Sequence, residues 1–264
     1  MLGYSHTTRA KDDYIKATFA KPGKIADILE VFFRAGVNAV MGMYGTQVLR
    51  DAVKEAEDRT GVKAIRISTP SLPWNARTGA EGFDKGEVAK LLDEHASWGA
   101  QFLMPHQGTT DTMVDRCTRQ IRGMGAVCAM IRERGMIPGL STHMPESITY
   151  ADESGLDVET YVSIYNAAGF LMQVEVDWTA RIIRDAKKPV MTIKPMAAGR
   201  IPPFQAMNFV WNTIRPQDMV TVGTMSPGEA EELIELSTGI LERREAEVVL
   251  QETRSKASIK SAKK

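Results

Sequence analysis

The sequence predicts an α/β fold, a single (β/α)8 TIM barrel, on three observations. The chain has 264 residues, the usual size of one such barrel, and 43% of them are hydrophobic, which is enough for a large core. Short apolar runs alternate with longer amphipathic runs, the pattern of a parallel sheet wrapped by helices. Neither GxGxxG nor GxxxxGK[ST] follows the first run, so open nucleotide-binding sheets are disfavoured.

Eight apolar runs are candidate strands, and eight is the number that a closed barrel needs. They are Leu2–Ser5, Asn38–Met43, Lys63–Ser68, Gln101–Pro105, Met136–Ser141, Glu159–Tyr165, Pro189–Lys194 and Met219–Gly223. Helical stretches between them cover residues 24–36, 46–61, 85–99 and 114–135. In SPGEAEELIEL, Ser226 stands at the N-cap, Pro227 at N1 and Glu229 at N3, so a capping box begins the last helix.

The barrel is expected to occupy residues 1–242. Residues 243–264 turn charged and end in TRSKASIKSAKK, which predicts a C-terminal helical extension and a disordered basic tail. Thirty-three basic residues balance thirty-three acidic ones, so no overall field favours nucleic acid or an anionic membrane. No apolar run has the roughly 18 residues of a membrane span, and MLGYSHTTRAKDD lacks the apolar core of a signal peptide. We therefore expect a cytoplasmic protein whose partner is a small-molecule substrate.

Polar residues follow the predicted strands at the end where barrel enzymes keep their active sites. The exit residues include His6, Tyr44, Ser68, His106, Ser141, His143, Lys194, Gly223, Thr224 and Ser226. Three of the four histidines fall on this rim, whereas His95 lies inside a helix, where a solvated or core role is expected. Pro105 lacks an N–H and ends regular strand pairing, so His106 is released at the mouth. We interpret His106 as a substrate-facing residue.

The C-terminal half resembles the aldo-keto reductases. VMTIKPMAAGR followed by DMVTVGTMSPGEAEELIEL is similar to their last two β/α units, and GVNAVMGMYG, AIRISTP, FLMPHQ and GLSTH resemble four earlier segments in the same order. The resemblance implies a TIM barrel with Tyr44 as proton donor and His106 as the residue that orients the substrate. It also places Met41 where the family has a catalytic Asp and Pro70 where it has a Lys.

The nicotinamide contacts implied by this resemblance are altered as well. Ser141 falls on the carboxamide, but Thr142 replaces the Asn that should follow, and the Gln expected on the sixth strand falls near Val162. Without an ammonium nearby, the pKa of a phenol stays near 10, a poor match to proton transfer at neutral pH. NADP binding and ordinary NADPH-dependent carbonyl reduction are therefore expected to be impaired.

An NADPH-dependent aldo/keto oxidoreductase with a non-standard site stays open as an alternative, and so do three further functions. In the first, His106 carries a proton for a small polar substrate, and either Lys194 or Gly223, Thr224 and Ser226 hold its phosphate or carboxylate. In the second, His6, His106 and His143 bind a divalent metal, with Glu175 or Asp177 as a further ligand or base. In the third, the barrel only binds a ligand, against methionines near the strand exits. Residues 69–84 form a long loop that is expected to be a lid.

Overall fold

Helices and parallel strands alternate along the described part of the chain, as the sequence predicts. The structure is a computed structural model, and it describes residues 19–42, 46–73 and 82–247. The predicted first strand, Leu2–Ser5, lies outside the described residues, as do the middle of the predicted lid loop and the tail from residue 248. Among the described residues, no helix is both long and apolar enough to cross a membrane.

The elements are numbered in chain order over the described residues. The helices are α1 (Pro22–Arg34), α2 (Gln47–Thr60), α3 (Lys85–Ser97), α4 (Gln107–Met113), α5 (Met124–Arg132), α6 (Glu146–Ser154), α7 (Val176–Asp185), α8 (Pro203–Thr213) and α9 (Pro227–Glu242). The strands are β1 (Ala39–Gly42), β2 (Ile65–Ser68), β3 (Phe102–Leu103), β4 (Val114–Asp115), β5 (Gln120–Ile121), β6 (Ile137–Pro138), β7 (Leu140–Thr142), β8 (Tyr161–Ile164), β9 (Val190–Ile193) and β10 (Met219–Thr221).

Two runs of parallel strands form the barrel wall, in the orders β1-β2-β3-β6 and β7-β8-β9-β10. The predicted strand Met136–Ser141 joins them, because its halves β6 and β7 pair with β3 and β8 on either side of Gly139. A Cβ at Gly139 would meet the Cγ of Met104 at 2.8 Å and the carbonyl oxygen of Thr160 at 3.0 Å. The position between β6 and β7 therefore requires glycine. No strand of the described residues links β10 to β1.

Side chains along each strand alternate between two layers of core. Val162 and Met191 lie in register with Ser141 on neighbouring strands. Val162, Met191, Ile67 and Met104 belong to one buried cluster, which fills the inside of the barrel. A larger cluster, with Leu103, Leu140, Tyr161 and Val190 among its strand residues, packs outward against the helices. All the parallel strands point the same way, so their C-terminal ends share one rim.

The predicted helix over residues 114–135 is wrong in its first half. Residues 107–121 form the short helix α4 and an antiparallel hairpin of β4 and β5, and the helix α5 begins only at Met124. The Asp115 carboxylate accepts hydrogen bonds from the N–H groups of Cys117, at 2.9 Å, and Thr118, at 3.2 Å, which closes the turn of the hairpin. The unit between β3 and α5 therefore carries an insertion on the rim.

Candidate active site at the barrel mouth

His106 begins the helix α4 directly after β3. Its backbone N–H donates to the carbonyl of Pro70 at 2.8 Å, and its Nδ1 accepts from the N–H of Gly108 at 3.2 Å. Because Nδ1 is the acceptor, this hydrogen bond assigns the neutral tautomer that carries its proton on Nε2. Nε2 itself makes no hydrogen bond to the described residues, so the ring keeps one donor for a substrate or for solvent.

The charge state of His106 follows from its surroundings. The ring is half-buried, and burial lowers its pKa from the usual 6.5, with a smaller contribution in the same direction from the positive charge of Lys194. The imidazole is therefore neutral at pH 7. Met104, two residues before His106, and Ile193, directly before Lys194, belong to the same buried cluster inside the barrel, so the exits of β3 and β9 lie on one rim.

Lys194 follows β9 with its backbone in the left-handed region, at φ 59°. This conformation is costly for a residue with a Cβ and is concentrated at functional sites. The side chain is half-buried, and burial lowers the pKa of its ammonium. No described residue offers Lys194 a hydrogen bond or an ion pair, so its hydration is reduced without compensation.

Asp111 is a functional candidate that the sequence did not indicate. It lies in α4, and its carboxylate accepts from the hydroxyl of Thr142 at 2.5 Å and from the N–H of His143 at 3.1 Å. Burial raises the pKa of Asp111 to about 6, and the neighbouring Glu146 carboxylate acts in the same direction. A carboxyl group that titrates near neutrality is suited to proton transfer. The same contacts hold His143 and the exit of β7 against α4.

The predicted anion site after β10 is occupied in part by helix capping. Ser226 Oγ accepts from the N–H of Glu229 at 3.2 Å, which confirms Ser226 as the N-cap of α9. The Glu229 carboxylate accepts from the N–H of Met225 at 2.7 Å, and it places a negative charge at the end of the helix that an anion would approach. Thr224 is buried, and its hydroxyl has no hydrogen-bond partner among the described residues. Gly223 precedes it at an exposed position.

Two of the predicted site residues, His6 and Tyr44, lie outside the described residues. Ser141 is buried on β7 and lies in register with residues of the barrel interior. Within the described ranges, no group of three or more His, Cys, Asp or Glu side chains is placed to hold a metal ion. Glu175 and Asp177 are exposed at the start of α7. The set of His6, His106 and His143 stays a prediction, since it depends on His6.

His95 is a core residue, in line with the role expected for it. It lies in α3, is 3% exposed, and its Nδ1 forms a hydrogen bond with the hydroxyl of Ser68 at the end of β2. Burial lowers its pKa to about 4, with a smaller effect from Arg50. His95 ties a helix to the barrel wall and takes no part in the mouth.

Comparison with known structures identifies the architecture. A Pseudomonas aeruginosa protein named as a candidate aldo-keto reductase superposes with a TM-score of 0.61 at 13% identity, over 84% of each chain. Orotidine 5'-monophosphate decarboxylase from Methanocaldococcus jannaschii, in complex with the inhibitor BMP, gives a TM-score of 0.53 at 13% identity, over 82% of this chain and 93% of that one. The chain has the TIM-barrel fold. This confirms the predicted fold class and its likeness to aldo-keto reductase structures, and at such identities it shows the fold alone. No family profile matches the sequence, and no curated protein matches it.

Proposed function

We propose that the protein is an enzyme that performs acid–base chemistry at His106 on a small polar carbonyl compound. The observation that carries this proposal is the hydrogen bond from the Gly108 N–H to Nδ1 of His106, at 3.2 Å. It leaves a neutral imidazole with its proton on Nε2 at the mouth of the barrel. A neutral imidazole can donate a hydrogen bond to a carbonyl oxygen and stabilise the negative charge that develops there when a neighbouring C–H bond loses its proton.

Asp111 and Lys194 supply the complementary groups. Asp111 has a pKa of about 6, so it is largely ionised at pH 7 and can accept a proton without being a strongly basic group. Lys194 follows β9 on the same rim and supplies a nitrogen that has no hydrogen bond or ion pair with any described residue. The buried hydroxyl of Thr224, beside the exposed Gly223, would bind a phosphate or carboxylate of the substrate. This set suits a carbonyl compound that carries an anionic group.

Reduction with NADPH fits these residues less well. Met41 packs against the barrel interior and Pro70 offers only a backbone carbonyl. The positions of the Asp and Lys implied by the family resemblance therefore provide neither a carboxylate nor an ammonium. A metal-assisted version of the reaction needs His6 as well as His106 and His143. A chelator distinguishes this version from the proposal, because it should have no effect on activity if His106 acts without a metal.

The test follows proton exchange, which needs no knowledge of the full reaction. Pyruvate, dihydroxyacetone and dihydroxyacetone phosphate are incubated with the protein in D2O, and loss of the α-proton NMR signal is measured against a protein-free sample. His106→Ala should slow the exchange of the responsive compound by about 10²–10⁴-fold, the effect of losing an acid–base group. The rate should also fall as the pH drops through about 6, because Asp111 becomes protonated and can no longer accept a proton.

His106→Asn is the matched control. Asparagine is a strong N-cap and can accept the Gly108 hydrogen bond, but it has no ring proton on the far side. Under the proposal His106→Asn is as inactive as His106→Ala, and both proteins are folded. Full exchange activity in His106→Asn would reduce His106 to a helix cap and overturn the proposal. Exchange that disappears with EDTA would favour the metal.

A further inference from the structure

Lys194 differs from the other described lysines in its surroundings. Lys188 precedes β9, at the end of the strand opposite Lys194, and its ammonium lies 3.4 Å from the Glu159 carboxylate. Lys90 lies on the surface and pairs with Glu87 at 2.6 Å. Lys194 is half-buried and has no hydrogen bond or ion pair with any described residue. Its backbone lies at φ 59°, a conformation that is costly for a residue with a Cβ and is concentrated at functional sites.

A structural or anion-holding role explains this arrangement poorly. An ammonium that pairs with a carboxylate regains part of the hydration it loses on burial, whereas Lys194 regains none. The unpaired site favours the neutral amine, and burial lowers the pKa accordingly. A neutral amine has a free electron pair and is a nucleophile toward carbonyl carbon. His106 lies on the same rim with a hydrogen-bond donor that suits the carbonyl oxygen.

We propose that Nζ of Lys194 is the nucleophile of the site and forms an imine with a ketone or aldehyde substrate. This inference rests on the proposed function, since it takes the carbonyl substrate from it and adds the covalent step. It also gives a reason for the proton exchange at the neighbouring carbon. The protonated imine withdraws electrons more strongly than the carbonyl does, so the adjacent C–H bond becomes more acidic.

The step balances without an oxidant or reductant. The Lys194 ammonium first gives one proton to a base, either water or the Asp111 carboxylate. The freed electron pair on Nζ forms a bond to the carbonyl carbon, and the π electrons move to the oxygen, which takes a second proton from the nitrogen. The hydroxyl group then leaves as water with the proton first given up, and the nitrogen pair completes the C=N bond. Carbonyl and ammonium become iminium and water.

His106 has a defined part in this sequence. Its Nε2–H would donate to the carbonyl oxygen during attack and to the departing hydroxyl afterwards, which stabilises charge on that oxygen in both steps. Imine formation should therefore be slower in His106→Asn, although the lysine remains. This dependence separates a lysine that works inside the site from a surface lysine that reacts slowly with any aldehyde.

Reduction of the imine by sodium borohydride tests the proposal on the full chain. The protein is incubated with pyruvate or dihydroxyacetone, treated with borohydride, and digested for peptide mass spectrometry. The expected result is one reduced substrate attached to Lys194. Lys194→Met should lose this label, and Lys188→Met, a change at the other end of the same strand, should keep it. No label on Lys194, or a label spread equally over exposed lysines such as Lys90, would overturn the inference.

Lys194→Arg distinguishes this inference from the proposed function. Arginine keeps the positive charge but cannot form an imine, so exchange should fall to the protein-free rate if Lys194 is the nucleophile. If exchange survives in Lys194→Arg and is still lost in His106→Asn, the lysine inference fails while the function at His106 stands. If Lys194 is labelled but His106→Asn exchanges normally, the nucleophile stands and the role of His106 fails.

Discussion

Ser226 and His106 both begin a helix at the mouth of the barrel, and both accept a hydrogen bond from its first turn. Ser226 Oγ accepts from Glu229 and Nδ1 of His106 accepts from Gly108, each at 3.2 Å. Serine is a common N-cap, and this bond meets its requirement. Histidine is a rarer choice, and it leaves a second ring nitrogen at the mouth. The two residues therefore differ in that His106 keeps a second polar atom, Nε2, after capping its helix.

Ser226→Ala should lower the free energy of unfolding by about 1 kcal/mol, the usual cost of a lost N-cap, without changing exchange activity by much. Urea unfolding measures the first effect and the NMR assay the second. Ser237→Ala, inside the same helix, is the control and should be neutral or slightly stabilising, since alanine is the better helix former. If Ser226→Ala keeps full stability but loses thermal stabilisation by phosphate, Ser226 is an anion ligand instead of a cap.

The positions of His106, Lys194 and Ser226 after β3, β9 and β10 could be predicted from the sequence, because each follows an apolar run whose end can be located. Asp111 could not be found in this way. QGTTDTM has no apolar periodicity that marks a helix, and the carboxylate acquires its pKa of about 6 only through burial in the folded protein. There it contacts Thr142 and His143, about thirty positions along the chain, whose hydrogen bonds act in the opposite direction and reduce the rise. A side chain whose chemistry depends on such distant contacts leaves no local signal.

The hairpin of β4 and β5 shows that long-range contacts also limit the prediction of secondary structure from sequence. VDRCTRQIRGMG has apolar residues at helical spacing, but Arg119 at φ 55° and Gly123 at φ 69° break the helix on either side of β5. Long-range ion pairs stabilise the hairpin instead: Arg116 donates to Glu146 at 2.7 Å, and Arg119 donates to Glu153 at 2.6 Å. Strand pairing and these contacts outweigh helix propensity, which contributes only tenths of a kcal/mol per residue.

Arg116→Ala should destabilise the protein by about 1–2 kcal/mol, because it removes charged hydrogen bonds from a carboxylate that has little access to water. The Glu146 side chain is 17% exposed, and its Oε2 has no partner among the described residues. Lys90→Ala is the control: its pair with Glu87 is exposed at both ends and should change stability little. Urea unfolding of both variants checks this, and equal losses would show that the hairpin contact is an ordinary surface pair.

Seven of the eight predicted strand positions hold parallel strands of the described chain, because a (β/α) pattern, a suitable length and uninterrupted apolar runs agree with one another. At the scale of the whole molecule, two buried groups change the stability of the fold in opposite directions as the pH changes. His95 has its pKa lowered from 6.5 to about 4, so it destabilises the fold as the pH falls between those values. Asp111 has its pKa raised from 3.8 to about 6, so it destabilises the fold as the pH rises from 3.8 through 6.

These two contributions are similar in size and opposite in sign. At 1.36 kcal/mol per pKa unit, each is worth about 3 kcal/mol. On acidification from pH 7 to 4, the loss from His95 is therefore offset by the gain from Asp111. Exposed pairs such as Glu235 with Arg244, where the pKa of the carboxyl is lowered to about 2, respond equally in the native protein and in any variant at these two positions.

Asp111→Asn should make the protein more acid-sensitive than the native chain. Asparagine cannot titrate but can still accept from Thr142 and His143, so the gain below pH 6 disappears and the loss from His95 remains. The free energy of unfolding between pH 7 and 4 should then fall by about 3 kcal/mol more than in the native protein. His95→Gln, which can still bond Ser68, should reverse the sign and gain stability over the same range. Urea unfolding at a series of pH values measures both, and parallel curves for the native protein and Asp111→Asn would mean that Asp111 is an ordinary solvated carboxylate.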